Sequence, residues 1–235
     1  NIPGSSLLSG GLFVLLKKVP AADAGWATDP FEAQYLKLYD VTPPPTPAAP
    51  STAKPYALGT VATFSWAAVS DPEGGIFGYH LIVGTFPGAS NVFDGSLTAT
   101  SGSATNSLGQ TLYARVSSIN NAGIEGGFSP ISSGTILLDP LGDYDSDGMN
   151  NANEDLAGTN PLDGNSVLRI LSLSDGNLLT WLSVSGKTYR VLAAESLVTN
   201  FVPISGIITA ASGTASYLDV GPTNANRFYR VNVLP

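Results

Sequence analysis

The sequence predicts an all-β chain of tandem β-sandwiches joined by a short acidic loop and helix. Three observations lead there. Short apolar runs, many with period-two patterning, recur along the 235 residues and are punctuated by Gly, Pro, Asn and Asp clusters. A run of prolines from Pro43 to Pro50 interrupts the chain where no sheet can continue, because proline fixes φ and lacks the N–H a ladder needs. Carboxylates are concentrated: seven of the 18 fall between Asp139 and Asp163, and no Lys or Arg occurs between Arg115 and Arg169. A chain of 235 residues suits two domains or two and a fraction.

Composition bounds the function. Hydrophobic residues make up 43% and charged residues 12%, which is a globular balance with real cores. The formal net charge of −8 argues against nucleic acid, whose phosphates call for clustered Lys and Arg. The chain has no cysteine, so disulfides and thiolate metal sites are excluded. No apolar run reaches the 18 or more residues of a membrane-spanning helix. Few charges, many Ser, Thr and Gly, and strands throughout fit an extracellular or cell-surface location. A start at Asn1 rather than Met leads us to expect a processed chain.

In chain order, residues 1–42 read as two strands, 12–19 and 33–39, around a turn at 21–25. They parallel a later stretch, Leu112-Tyr-Ala-Arg-Val-Ser-Ser-Ile119 with Asn121-Ala-Gly123 and residues 133–138, as an internal repeat. On that reading they end an incomplete sandwich; the alternative is a simple hairpin packed on its neighbour. Residues 40–50 are expected to run as polyproline II, a semi-rigid spacer. Residues 43–138 form the first complete sandwich, with strands expected at 61–67, 76–83, 96–100, 110–119 and 133–138. Trp66, Gly78-Tyr79-His-Leu-Ile82, Leu108, Leu112-Tyr113-Ala-Arg-Val116 and Asn121-Ala-Gly123 resemble core and turn positions of a fibronectin type III domain. That resemblance implies a β-sandwich serving as a spacer or binding module.

The stretch Asp143-Tyr-Asp-Ser-Asp-Gly-Met-Asn-Asn-Ala-Asn-Glu154 reads D-x-D-x-D-G-x5-E, a full twelve-residue calcium loop. Calcium takes about six to eight oxygens at roughly 2.3–2.6 Å. Asp143, Asp145 and Asp147 supply carboxylates from positions 1, 3 and 5, and Gly148 permits the sharp turn. Met149 offers its backbone carbonyl, Asn151 acts directly or through water, and Glu154 closes the shell with both oxygens. A short helix over 150–157 should follow, stopped by Gly158 and Pro161. Pro140 opposes a helix before the loop, so a paired EF-hand is not expected. Asp139, Asp155 and Asp163 are further carboxylates that could serve a second ion or only solubilise the segment. From Asp143 to Pro161 the sequence resembles the single calcium repeat of many secreted bacterial proteins, related to thrombospondin type 3 repeats. The resemblance places residues 139–163 as a calcium repeat between sandwiches, and we expect the ion to fix the angle between them.

Residues 164–235 read as a second sandwich, with strands at 167–173, 178–184, 188–193, 206–210, 215–220 and 227–233. The phrases LTWLSVSGKTYRV and FYRVNV resemble a small C-terminal module that often follows such a repeat in secreted bacterial proteins. Catalytic patterns are not found. His80 is the sole histidine, mid-strand beside Tyr79, and no Gly-rich phosphate loop occurs. Trp66 and Trp181 sit in apolar runs and are expected in cores, which leaves Trp26 as the candidate for glycan stacking. The expectation is a non-enzymatic, calcium-stabilised subunit of a cell-surface filament or similar assembly, self-associating by strand sharing between copies. The alternative is the C-terminal spacer and carbohydrate-binding region of a secreted polysaccharide-degrading enzyme.

Overall fold

Alternation of buried and exposed residues along the strands builds the first sandwich. The computed structural model describes residues 40–174, 177–221 and 226–235; the strands expected at 12–19 and 33–39, and Trp26, lie outside the described residues. The chain divides into two compact units between Leu137 and Leu138. In the first, the strands are β1 (Tyr56–Leu58), β2 (Val61–Ser65), β3 (Ile76–Gly84), β4 (Phe93–Leu97), β5 (Ser101–Thr105), β6 (Thr111–Asn120) and β7 (Thr135–Leu138). They form a five-stranded sheet in the order β1-β7-β6-β3-β4 and a two-stranded sheet of β2 and β5. Ala62 and Phe64 of β2 and Ala104 of β5 pack on Leu81 and Val83 of β3 and on Leu112, Ala114 and Val116 of β6. Every second residue of each strand thus points into one core.

The strand expected at 96–100 is instead the end of β4 and a turn, and β5 follows it at once. The segment Gly95-Ser-Leu-Thr-Ala-Thr-Ser-Gly-Ser-Ala104 is made of small residues and has only Leu97 as a large apolar side chain. Its turn was therefore invisible to a reading based on apolar periodicity. Leu108, matched above to a core position, lies 42% exposed in the turn before β6.

The proline segment differs from the expected spacer. Pro44, Pro47 and Pro50 are buried while most of the residues between them are exposed. This three-residue period is the repeat of a polyproline II helix laid along a surface. Ser118 Oγ donates to Pro45 O at 2.6 Å, and Asn120 Nδ2 donates to Asp40 Oδ2 at 2.7 Å and to Thr42 O at 3.0 Å. The segment is a docked part of the first sandwich.

The second unit opens with α1 (Asn151–Ala157), followed by β8 (Ile170–Ser174), β9 (Leu178–Leu182), β10 (Thr188–Ala194), β11 (Val202–Pro203), β12 (Ile208–Thr209), β13 (Thr214–Leu218) and β14 (Phe228–Leu234). One sheet has the order β13-β9-β8; in the other, β10 pairs with β14 on one edge and with β11 and β12 on the other. Leu179 and Trp181 of β9 meet Tyr189 and Val191 of β10 in its core. The structure is all-β apart from α1, a tandem of β-sandwiches as the sequence predicts.

The two cores share a device. Trp66 stands edge-on to Tyr79 with centroids 5.6 Å apart, and Trp181 to Tyr189 at 6.0 Å. In each case the tyrosine hydroxyl accepts from the backbone N–H three residues after the tryptophan: Val69 to Tyr79 at 3.3 Å, Val184 to Tyr189 at 2.8 Å. The tyrosine thereby fills the core with its ring and satisfies a donor where the chain leaves the strand. Replacing Tyr189 by Phe keeps the ring and orphans the Val184 N–H. The expected cost is about 1–3 kcal/mol, read as a lowered urea midpoint with unchanged slope.

Candidate functional site

The acidic loop is built from its neck inward. Asn151 N–H donates to Gly142 O at 2.8 Å and Ala152 N–H to Pro140 O at 3.0 Å, so the two ends of the loop are tied. The Asn151 side chain completes the neck: its Nδ2 donates to Asp139 O at 2.7 Å, and its Oδ1 accepts from Tyr144 N–H at 3.2 Å. The sequence reading has Asn151 at position nine acting directly or through water; in the structure its side-chain amide is engaged within the neck. Its amide holds the loop closed, and the residue is only 2% exposed.

Inside the neck the carboxylates divide their oxygens. Asp145 Oδ1 accepts from Asp147 N–H at 3.3 Å, Asp147 Oδ1 from Met149 N–H at 2.7 Å, and Asp143 Oδ2 from Gly148 N–H at 2.9 Å. The remaining oxygens of Asp145 and Asp147, both Oδ2, are buried without a partner. One side-chain oxygen from each of Asp143, Asp145 and Asp147 lies within 4.8 Å of the others. Gly148 has φ +96°, a left-handed conformation that a side chain would strain.

Glu154 faces the three aspartates from the helix. Its side chain is fully buried, and neither Oε1 nor Oε2 has a hydrogen-bond partner. Burial, and then the charges of Asp145, Asp147 and Asp143, push its carboxyl up to about 7. No ion pair with Lys or Arg relieves these four carboxylates among the described residues. The donors are all hard oxygens, which fit a cation such as calcium and not a thiolate-seeking metal. Asp139 and Asp163 spend a side-chain oxygen on nearby backbone N–H groups, and neither they nor Asp155 join the cluster.

The helix is fixed at both ends. Asn150 Oδ1 accepts from Asn153 N–H at 2.8 Å as the N-cap, and Gly158 at φ 78° is the left-handed C-cap. Lys187, from the β9–β10 turn, donates to Leu156 O at 2.6 Å. It brings a cation to the carbonyl end of a helix that has no basic residue in its own last turn. Through Lys187 the loop and helix are fastened to the C-terminal sandwich.

A second titratable cluster lies on the outer face of the first sandwich. His80 Nε2 is 2.7 Å from Asp94 Oδ1, and Nδ1 is 2.9 Å from Glu125 Oε1. Asp94 lies opposite Ile82 in the β3–β4 register, which makes it the diagonal same-face neighbour of His80. Glu125 also accepts from the Ser117 hydroxyl, and Phe128 packs on the imidazole at 5.3 Å. Partial burial opposes the charge, but the hydrogen bonds and charges of Asp94 and Glu125 outweigh it and raise the imidazole above its ordinary value. The sequence reading took His80 as a packed or solvent-facing residue and missed both partners, which are distant in sequence. Trp66 and Trp181 are core residues, 7% and 0% exposed.

Chains of known structure are similar in fold. The FN1–FN3 domains of chicken CNTN1 align at a TM-score of 0.42 and 14% identity, over 85% of this chain and 62% of that one. An Fn3-like protein from Clostridium thermocellum aligns at 0.27 and 24% identity, over 42% and 96%. A β-1,2-glucanase from Parabacteroides distasonis aligns at 0.29 and 14%, over 46% and 15%. This chain thus spans less than two thirds of the CNTN1 segment. No protein-family model matches the sequence, and no curated protein matches it. Among the described residues no helix is long and apolar enough to cross a membrane.

The His80 cluster gives a pH dependence of defined sign. The unfolded imidazole titrates near 6.5, and the folded pKa is raised. Its stabilisation is fully present below about pH 6.5 and is lost as pH rises through the folded pKa. The melting temperature of the first sandwich should therefore fall on going from pH 6 to pH 8.5, and His80→Gln should flatten that slope.

Proposed function

We propose that the chain is an extracellular structural protein whose C-terminal unit is held together by one calcium ion. The observation that carries this reading is the buried Glu154 carboxylate, unpartnered at both oxygens and set against three aspartates. Asp143, Asp145 and Asp147 would each give a side-chain oxygen, Met149 its carbonyl, and Glu154 both oxygens. Position nine would be filled by water, since the Asn151 amide is already engaged. Extracellular modules bind calcium at about 10⁻⁴–10⁻³ M, which suits a location where the ion is plentiful. The reading is non-enzymatic: His80, the sole histidine, has both ring nitrogens committed to carboxylates.

The finer part of the proposal is assembly into a cell-surface filament by strand sharing between copies. It is supported by β8, an edge strand exposed along its whole length, with Ile170, Leu171 and Leu173 between 43% and 50% exposed. An exposed apolar edge is a template for another strand. The apolar run at 12–19 is the expected donor.

Calcium titration by calorimetry should show one site. A hundredfold excess over Kd should stabilise the unit by about 2.7 kcal/mol. Chelator should expose residues 138–165 to protease. Asp145→Ala and Glu154→Gln should each remove the heat and the protection, whereas equal cleavage with and without chelator would sink the structural ion.

Assembly is tested separately. The full chain should sediment as concentration-dependent polymers, and deletion of residues 1–39 should leave a folded monomer. A full-length chain that stays monomeric at high concentration would end the filament reading.

A further inference from the structure

One end of the first sandwich carries an open cleft of 360 Å³ that none of the foregoing uses. Thr85 and Asn91 come from the turn between β3 and β4; Thr105, Asn106, Ser107 and Gln110 come from the end of β5 and the turn into β6. The lining contains amides and hydroxyls and no charged side chain. In a chain of net charge −8, a cleft free of carboxylates argues against a metal ion as its ligand, and the lack of Lys and Arg in its lining argues against an anion.

The amides of Asn91 and Asn106 are held in place before any ligand arrives. Asn91 Oδ1 accepts from Thr85 N–H at 3.1 Å, and its Nδ2 donates to Thr85 Oγ1 at 3.2 Å. Asn106 Oδ1 accepts from Ser107 N–H at 2.8 Å, which leaves its NH₂ group free. The Gln110 side chain has no partner among the described residues, and its backbone N–H is fixed to Ser107 O at 3.3 Å. Phe86, next to Thr85 in the same turn, is 60% exposed.

We infer that this cleft binds a neutral, hydroxyl-rich ligand, a segment of an uncharged polysaccharide. A sugar hydroxyl both donates and accepts. Amide side chains match it, since each pairs a carbonyl acceptor with an NH₂ donor. A few fixed polar groups orient such a ligand; the exposed ring of Phe86, the residue after Thr85, lies outside the lining itself and would extend the surface with a flat apolar face for the C–H side of a pyranose. Binding here is independent of the ion at the acidic loop.

The test is native affinity electrophoresis of the full chain in gels containing dextran, galactomannan, xyloglucan or mixed-linkage β-glucan, with alginate as an anionic counterpart. Retardation is expected in at least one neutral gel, unchanged by chelator, and none in alginate. Gln110→Ala and Phe86→Ala, both at exposed positions, should each weaken the retardation about tenfold, which corresponds to about 1.4 kcal/mol. Thr63→Ala on the exposed face of β2 should leave it unchanged. Absence of retardation in every neutral gel, retardation in alginate alone, or full retardation of the Gln110→Ala variant would overturn the assignment.

Discussion

A carboxylate taken out of water without a hydrogen-bond partner is among the costliest groups a fold can hold. Glu154 presents two such oxygens, and three aspartates stand against them. The cost could be avoided by letting the helix tilt its first turn into solvent. Instead the helix is capped by Asn150 and Gly158, and Lys187 ties its last turn to the sandwich. The loop is tied at its neck by Asn151. Every one of these contacts holds Glu154 in the position that electrostatics disfavours. The arrangement is thus over-determined by contacts that hold four carboxylates together against their mutual repulsion.

Among the described residues no internal cation offsets these charges. Between Arg115 and Arg169 the chain has no Lys or Arg, and Lys187 spends its ammonium on a carbonyl at the opposite end of the helix from the N-cap. A lysine would also serve poorly. It brings one charge and three donors on a flexible stem, against four carboxylates gathered at one place. The division of oxygens within the loop points the same way. One oxygen of each aspartate fixes the backbone, and the second oxygens of Asp145 and Asp147 are buried without a partner. Removing any one aspartate would therefore loosen both the turn and the cluster.

Much of this could be read in the sequence because the loop's constraints are local. The spacing of Asp143, Asp145, Asp147, Gly148 and Glu154 states the turn and the gathering of the carboxylates within twelve residues. The strands with strong alternation, around Phe64, Leu81, Val116 and Val191, were equally legible. What escaped depends on partners far apart in sequence. The position of Asn151 in the loop left direct and water-mediated roles open, and only the closed neck shows its amide engaged. His80 looked unremarkable because Asp94 and Glu125 are brought beside it by the β3–β4 register and by the loop after β6. The prolines looked like a spacer because their chemistry excludes sheet, but exclusion from a sheet does not prevent docking on one. Their burial at every third residue was in the spacing Pro44, Pro47, Pro50 from the start.

The paired Trp–Tyr device shows how two sandwiches with different sheets arrive at one solution. In both, a tryptophan ends an inward-facing run, the chain turns away three residues later, and a tyrosine from the facing sheet supplies ring and hydroxyl together. The phrases WAAVS and WLSVS, each followed by a tyrosine in the next strand, carry it in the sequence. A core that stops at a strand end must leave a backbone donor where water is partly excluded. A phenylalanine would fill the volume and leave that donor unpaired; a smaller polar residue would satisfy the donor and leave a cavity. Tyrosine meets both demands, so the same pair closes the first sandwich, whose larger sheet has five strands, and the second, which is built on β9 and β10. The cores are thus completed within each unit, and Lys187 fastens the helix after the acidic loop to the second of them.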